Sequence, residues 1–495
     1  MTYTKEKMRR KKRTPKEGFD FSCLKGISLR NINSIILFPF FAALLNRVPY
    51  LSLPEMPIAY FLGCVIFWYI FVETTVRNNR FFDLHAAYRI ALYAVVSVGI
   101  IVNSVVVYFI STDLLVFITP LFFTVAIITI LIGFDEGAGV GLFLAFIASA
   151  TYSFSLDAFV MLSIISFVSA LATRKLTARI SIARAGFFVG AVFVALVFAR
   201  SFTESTFNWI QLSAAFINPV LSSIAVIGLL PYIEYVTRIY SNVGLLELGN
   251  LSHPLLKNLS VNAPGTYYHS VTMANLSEAA SEAVGANAIL ARVGAYFHDI
   301  GKIKRPQYFT ENQSGDNPHD RLSPSMSNTV INEHVQHGVE LARKHRLPLL
   351  IEDIVRQHHG TRNKLFFYRK AMNEGSKKSE DFGYFGPKPQ FRESGIVMLA
   401  DSVEAAFKSL KNPTPGNIRE IVAEVVEGIY NERQLDNSGL NLGDLEGIVD
   451  AFTRVLASSS RPRIEYPLEE PPTGVSDADN PPEQNDETGK REENT

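Results

Sequence analysis

The chain has 495 residues, 48% of them hydrophobic and 12% aromatic, and its 47 basic and 47 acidic residues cancel to a formal net charge of zero. A charged share of only 19%, together with 36 Phe, excludes a disordered chain and a plain water-soluble enzyme. Two cysteines exclude a disulfide scaffold and a Cys-based zinc finger, and the neutral total gives no reason to expect a nucleic-acid polymer as partner.

The neutrality is a cancellation. Met1–Gly26 carries nine basic and three acidic residues, and Tyr466–Thr495 carries nine acidic, two basic and five prolines. Between them Ile27–Arg238 holds only 20 charged residues in 212, whereas Ile239–Glu465 has ordinary soluble composition. The expected organisation is a basic arm (1–30), a transmembrane domain (31–238), a connecting segment (239–264), a catalytic domain (265–465) and an acidic disordered tail (466–495).

In chain order, the apolar runs are Ile35–Leu45, Met56–Val72, Ile90–Ile110, Leu114–Phe134, Gly137–Ser155, Ala158–Ala172, Ala185–Ala199 and Trp209–Ile233. Most approach the ~20 residues needed to cross ~30 Å of hydrocarbon, which gives about eight spans. The first is ambiguous, because Pro39 lies within it and Asn46-Arg47 end it. With eight spans the arm Lys5–Lys16, Arg77, Arg80, Arg89, Arg174, Lys175, Arg179 and Arg184 fall in the cytoplasm, leaving Arg47 and Arg200 outside. The C-terminal region returns to the cytoplasm, and Asp135-Glu136 also fall inside. Asn103, Asn218, Pro219 and Pro231 interrupt spans, where packing and helix kinks explain them better than an ion path. Cys23 and Cys64 are placed for neither a disulfide nor a metal.

Past the spans, Leu245–Lys257 is the expected connection and is expected to transmit the state of the membrane domain. Helical periodicity then dominates, giving an all-α class for the whole chain. Helices are expected at Gly265–Val284, Asn287–Phe297, Asn328–His345, Pro348–Gln357 and Glu393–Leu410, with Pro306–Ser325 a loop and Asn412–Val455 closing the bundle.

Nine of the ten histidines fall within His253–His359. His269, His298-Asp299, His334, His358-His359 and Asp401, spread over several helices, suit a metal site in a bundle core. Asp299 offers a carboxylate able to bridge two ions; His269, His298 and Asp401 complete the first, and His334, His358 and His359 supply the second. Imidazole with carboxylate and no thiolate suits iron, manganese or zinc. Two such ions would activate water against a phosphoryl group. Lys302, one turn from His298, is expected to set a positive charge beside a phosphate oxygen, and Gly301 to permit a close backbone approach.

The pattern His269…His298-Asp299…Asp401 resembles the HD phosphohydrolases. Gly265-Thr-Tyr-Tyr-His269-Ser, Ala295-Tyr-Phe-His298-Asp-Ile-Gly-Lys302-Ile-Lys-Arg-Pro-Gln-Tyr308, Asn317-Pro-His-Asp320 and Gly386-Pro-Lys-Pro-Gln390 are similar to the 7TM–HD membrane phosphodiesterases. The resemblance implies a polytopic helical membrane bundle followed by a cytoplasmic HD domain in a bacterial inner membrane. It implies cyclic di-AMP as substrate and pApA as product, with His298, Asp299 and Lys302 catalytic. It also implies a two-metal centre of iron or manganese on His269, His298, Asp299, His334, His358, His359 and Asp401. Partners on this reading are the nucleotide, the bilayer, a second copy in a homodimer, and a membrane signal or protein the sequence does not identify. Thr361-Arg362-Asn363 follow His358-His359-Gly360 with no Gly-Tyr-Pro, which departs from the HD-GYP enzymes acting on cyclic di-GMP. Tyr268 stands where the family usually has a second His, and only Asn46–Met56 stands where family members often carry an extracellular domain. The alternatives are another nucleotide as substrate, a receptor that binds without turnover, and a transporter or scaffold with a regulatory HD domain.

Overall fold

The computed structural model describes residue 38 and residues 58–109, 112–150, 155–203, 205–373, 382–410 and 413–459. The basic arm with Cys23, the run at 35–45 apart from Phe38, the following connection and the acidic tail lie outside the described residues.

The membrane half begins with α1 (Ile58–Trp68), which runs through a π turn at Tyr69–Glu73 into α2 (Thr74–Asn78). After the short α3 (Phe81–Leu84) come α4 (Ala86–Phe109), α5 (Thr112–Ile118), α6 (Leu121–Leu131), α7 (Phe134–Ser149), α8 (Leu156–Thr173), α9 (Arg179–Thr203) and α10 (Trp209–Thr237). Among the described residues six segments are long and apolar enough to cross a bilayer: Tyr60–Asn78, Ala86–Val106, Leu114–Leu131, Leu156–Thr173, Arg179–Thr203 and Trp209–Thr237. Phe187, Phe188, Phe202, Trp209 and Ile224 are exposed on the outside of this bundle, an arrangement that suits lipid and not water. The chain is a multi-pass membrane protein.

Two runs differ from expectation. Leu114–Phe134 is not one helix, because Pro120 has no N–H to donate and parts α5 from α6. Leu121 N–H turns to Thr119 O at 2.8 Å, and Asn218 ties the break together, its amide donating to Phe117 O at 3.0 Å and to Thr119 O at 2.9 Å. The run beginning at Gly137 folds as α7 up to Ser149, and the 16 residues of that helix span ~24 Å and fall outside the six.

The second half contains α11 (Asn242–Leu248), α12 (Pro254–Asn262), α13 (Pro264–Val284), α14 (Ala288–Phe297), α15 (Pro324–Lys344), α16 (Leu349–Gln357), α17 (Leu365–Asn373), α18 (Arg392–Lys408), α19 (Pro415–Asn431) and α20 (Leu442–Ser459). Among the described residues the only β pairing is a single bridge, Asn363 to Gly383. Helix α13 is central, packed by α12, α14, α18 and α20 around Met273, Leu276, Phe297, Val403 and Phe452. It ends at Gly285, whose φ of +69° closes the helix without a Cβ penalty. The expected connection Leu245–Lys257 covers the end of α11, a turn at 249–253 and the start of α12. The expected loop Pro306–Ser325 is a chain of 3₁₀ turns at Pro306–Tyr308, Thr310–Asn312 and Pro318–Arg321. Helix α15 starts four residues earlier than its pattern indicated, because Ser323 caps the Met326 N–H and Pro324 occupies the first turn.

The halves meet through polar contacts, half-buried at Arg238 and His85 and exposed at Arg80. Arg238 ends α10 and donates to Leu347 O at 2.7 Å and Glu352 Oε2 at 2.8 Å, while its own carbonyl accepts from Leu349 N–H at 3.0 Å. His85 Nε2 lies 2.6 Å from Asp353 Oδ2, and Arg80 donates to Gln390 O and Asn437 O. A cavity of about 400 Å³ remains between them, lined by Tyr88, Asp135, Arg174, Tyr240, Asn287 and Leu350.

Burial pushes the Glu352 carboxyl up, but hydrogen bonds from Arg238 and Arg343 outweigh it and hold the group below its usual 4.5. A depressed folded-state pKa stabilises fully above the usual carboxylate range, and that contribution is lost as pH falls through the folded value. The thermal midpoint of the purified chain is therefore expected to fall as pH drops below 4.5, and Glu352→Gln to flatten that limb. An unchanged acid limb in the variant would count against this linkage.

Candidate metal centre

The sequence ends α14 at Phe297 and turns His298-Asp299 into a 3₁₀ segment, Ile300–Lys304. That turn lies directly on α15: a Cβ on Gly301 would stand 1.8 Å from His334 O and 2.5 Å from Gly338 N. The close approach sets Asp299 between His298 and His334. Helix α16 delivers His358 and His359 at its C-terminal end, α13 supplies His269 from its second turn, and α18 supplies Asp401.

All seven side chains named from the sequence converge. His298 Nε2 is 3.1 Å from Asp299 Oδ2, and His269 Nε2 is 3.9 Å from the same oxygen. His334 Nε2 and His358 Nε2 lie 3.4 and 3.6 Å from Asp299 Oδ1. Asp401 reaches His269 Nε2 at 3.2 Å and His359 Nδ1 at 3.5 Å. Two sets of ligand atoms gather within 4.8 Å: His269, His298 and Asp299, and Asp299, His334, His358 and His359. Asp299 belongs to both.

The rings are aimed from behind. Nδ1–H of His298, His334 and His358 donates to the carbonyl three residues earlier, Ala295 at 2.7 Å, Ile331 at 2.5 Å and Val355 at 2.8 Å. Nδ1–H of His269 donates to Glu404 Oε2 at 2.9 Å. Each of these Nε2 atoms therefore faces the centre. His298 Nε2 and Asp299 Oδ1 are fully buried and make no hydrogen bond, a costly state that a cation would relieve.

The electrostatics give the donor set the protonation states of ligands. Burial opposes the charge on Asp299, but Lys302 and His298 outweigh it and hold the carboxyl well below its usual range. Asp401 is likewise depressed, with His269 and His359 overcoming burial. Burial lowers His334 to about 3 and brings His359 well below its usual value, so both are neutral imidazoles. Burial also opposes charge on His269, yet Asp401 and Glu404 raise it to about 9, so its Nε2 proton must leave before that nitrogen can ligate. Ionised Asp299 and Asp401 with neutral His334 and His359 fit divalent metal ions.

Lys302 does not face solvent. Its ammonium lies 2.7 Å from both Asp299 Oδ2 and Glu311 Oε1, and 4.8 Å from the Phe309 ring centre. Sequence reasoning missed Glu311, Glu404 and Tyr384, the last stacked on His359 with ring centres 4.1 Å apart. Glu404 had a usable signal, since it follows Asp401 by three residues on one helix. Tyr384 had none, because it sits in an irregular segment brought back by the Asn363–Gly383 bridge. A cavity of about 390 Å³ opens beside His359, Tyr384, Asn332 and Phe385. Glu404→Ala is expected to weaken metal binding by ~10–100-fold by freeing the His269 ring, read by metal titration. Unchanged affinity would remove Glu404 from the supporting shell.

These features define a polytopic membrane protein whose soluble half is an HD domain. Residues 56–241 match the family model described as 7TM receptor with intracellular HD hydrolase, and residues 266–406 match the HD domain model. It is similar to the Cyclic-di-AMP phosphodiesterase PgpH of Bacillus subtilis (strain 168), with 41% identity over 64% of this chain and 46% of that protein. It is also similar to the protein of the same name from Listeria monocytogenes, at 38% identity over 59% of this chain and 42% of that one. The chain thus spans about half the length of the curated relatives it matches. A crystal structure of the L. monocytogenes phosphodiesterase PgpH HD domain in complex with Cyclic-di-AMP aligns at 42% identity with a TM-score of 0.41, over 42% of this chain and 99% of that one.

Proposed function

We propose that this protein is a membrane-anchored, metal-dependent phosphodiesterase that hydrolyses cyclic di-AMP to pApA, under regulation by its membrane domain. The observation that carries this reading is the pair of ligand sets joined at Asp299. The substrate rests on the likeness to the two curated relatives named for that activity.

One water adds across one of the two phosphodiester links; the P–O3′ bond breaks, leaving a 5′-phosphate and a 3′-hydroxyl. We assign His269, His298, Asp299 and Asp401 to one ion and His334, His358, His359 and the shared Asp299 to a second, with iron or manganese the best match to this donor set. When bound, such a pair polarises the phosphoryl oxygens and makes water a stronger nucleophile near neutral pH. The chain's own residues do the rest. Asp299 ties the two ligand sets together, and His298 is held in one tautomer by the Ala295 carbonyl. Burial disfavours the charged form of Lys302, but Asp299 and Glu311 more than compensate and raise its pKa. It therefore acts as a fixed positive charge for a phosphate oxygen, not as a proton donor.

The HD domain and N-terminus are assigned to the cytoplasm. The ends of the spans that face the HD domain carry Arg77, Arg80, Arg89, Arg174, Lys175, Arg179 and Arg184, which is the positive-inside pattern. The test is turnover by the full chain in detergent with added manganese or iron, comparing cyclic di-AMP, cyclic di-GMP and pApA. Conversion of cyclic di-AMP to pApA well above the other two is expected. Preference for cyclic di-GMP, or two-ion binding without turnover, would overturn the assignment.

A further inference from the structure

We infer that Arg238 and His85, both contributed by the membrane half, are positioning residues for the metal ligands His358 and His359, acting through α16. The inference rests on the metal-centre reading above and adds its route of control.

Helix α16 is only nine residues long, ~13.5 Å, too short to bend between its ends. Its C-terminal end passes directly into His358-His359, and the His358 ring is fixed by the α16 carbonyl of Val355. Its N-terminal end is fastened to the membrane half. Arg238 O accepts from Leu349 N–H, and the Arg238 guanidinium spans Leu347 O and Glu352 Oε2. One residue further on, Asp353 Oδ2 meets His85 Nε2 at 2.6 Å. Glu352 and Asp353 are each 5% exposed and their partners Arg238 and His85 are partly buried; Glu352 is also held by Arg343 and Arg356, whose ion pairs lie within the HD half.

The third fastening is at the ligand end itself. Arg80 holds Gln390 O, and Gln390 N–H donates to Gln357 Oε1, the side chain immediately before His358. Arg80 and His85 lie on the turn between α2 and α4, and Arg238 ends α10, so two separate parts of the membrane bundle grip one short helix. A shift of α10 against that turn moves α16 as a rigid rod and displaces His358 and His359 from Asp299. The covalent connection runs through α11, which packs on α14. At α11, Arg179 pairs with Glu247 at 2.6 Å, but that pair is partly exposed and worth little.

The test uses the full chain in detergent, with manganese titrated into metal-stripped protein and steady-state turnover of cyclic di-AMP measured in parallel. His85→Ala and Arg238→Ala are expected to weaken the second ion by ~10–100-fold while leaving the first bound. They are expected to lower kcat with little change in KM, with Arg238→Lys intermediate because it keeps the charge and loses the second hydrogen bond. Arg179→Ala, which breaks the other ion pair at the boundary, is expected to bind both ions normally. Unaltered second-ion affinity in His85→Ala and in folded Arg238 variants would overturn the inference, as would an equal loss in Arg179→Ala. Failure of the wild type to cleave cyclic di-AMP while binding two ions would sink the substrate assignment instead, since the metal titration reads the coupling without any nucleotide.

Discussion

Asp299→Asn is expected to empty both ligand sets and to lower phosphodiester turnover by ~10³-fold or more, the scale at which electrostatic stabilisation is lost from an active site. Among the described residues Asp299 is the one side chain common to both sets, with Oδ2 toward His298 and His269 and Oδ1 toward His334 and His358. Asparagine keeps the shape but removes the charge and presents N–H groups where a lone pair is needed. It also leaves Lys302 with Glu311 as its remaining close carboxylate. Metal content by mass spectrometry, turnover and far-ultraviolet circular dichroism read the three consequences separately. A folded variant that retained two ions per chain would remove Asp299 from the bridging role.

Gly301→Ala is expected to be nearly as damaging, for a reason that has nothing to do with charge. The added methyl would lie 1.8 Å from His334 O and 2.5 Å from Gly338 N, both backbone atoms of α15 that cannot swing aside. Either the 3₁₀ turn or α15 must retreat, which would move the candidate ligand Asp299, just before the turn, or His334, on α15. Overpacking of this kind typically costs ~1–3 kcal/mol. For a domain of about 200 residues that lowers the thermal midpoint by ~2–10 °C, with weaker binding at the His334 side. Calorimetry and metal titration check the two effects. A variant with an unchanged midpoint would mean that the turn and α15 are not in rigid contact.

The convergence of the seven candidate ligands is largely legible in the sequence because the chemistry is concentrated in conspicuous residues. Histidine is sparse in this chain, and most of it clusters in one stretch, so His269, His298, His334, His358 and His359 announce themselves. Helix periodicity located the elements that carry them. What the sequence hid is relational. Glu404 and Glu311 look like ordinary acidic residues until the fold turns them toward His269 and Lys302. His85 and Asp353 are 268 positions apart, and no local pattern pairs them. The break at Pro120 was hidden differently: hydropathy continues smoothly across it, and only the donor count of the backbone betrays it. Asn218, which read as an interruption of its own span, is the repair for that break in another.

The backbone anchoring of His298, His334 and His358 has a consequence for how the centre is assembled. Each imidazole is hydrogen-bonded to the carbonyl three residues earlier, so its orientation is a by-product of forming the helix end. The ordering of the rings is thus complete when the domain folds, and little rotational freedom remains to be surrendered at loading. A scaffold preorganised in this way discriminates by fit: a cation of unsuitable size or geometry meets donors that do not adjust to it.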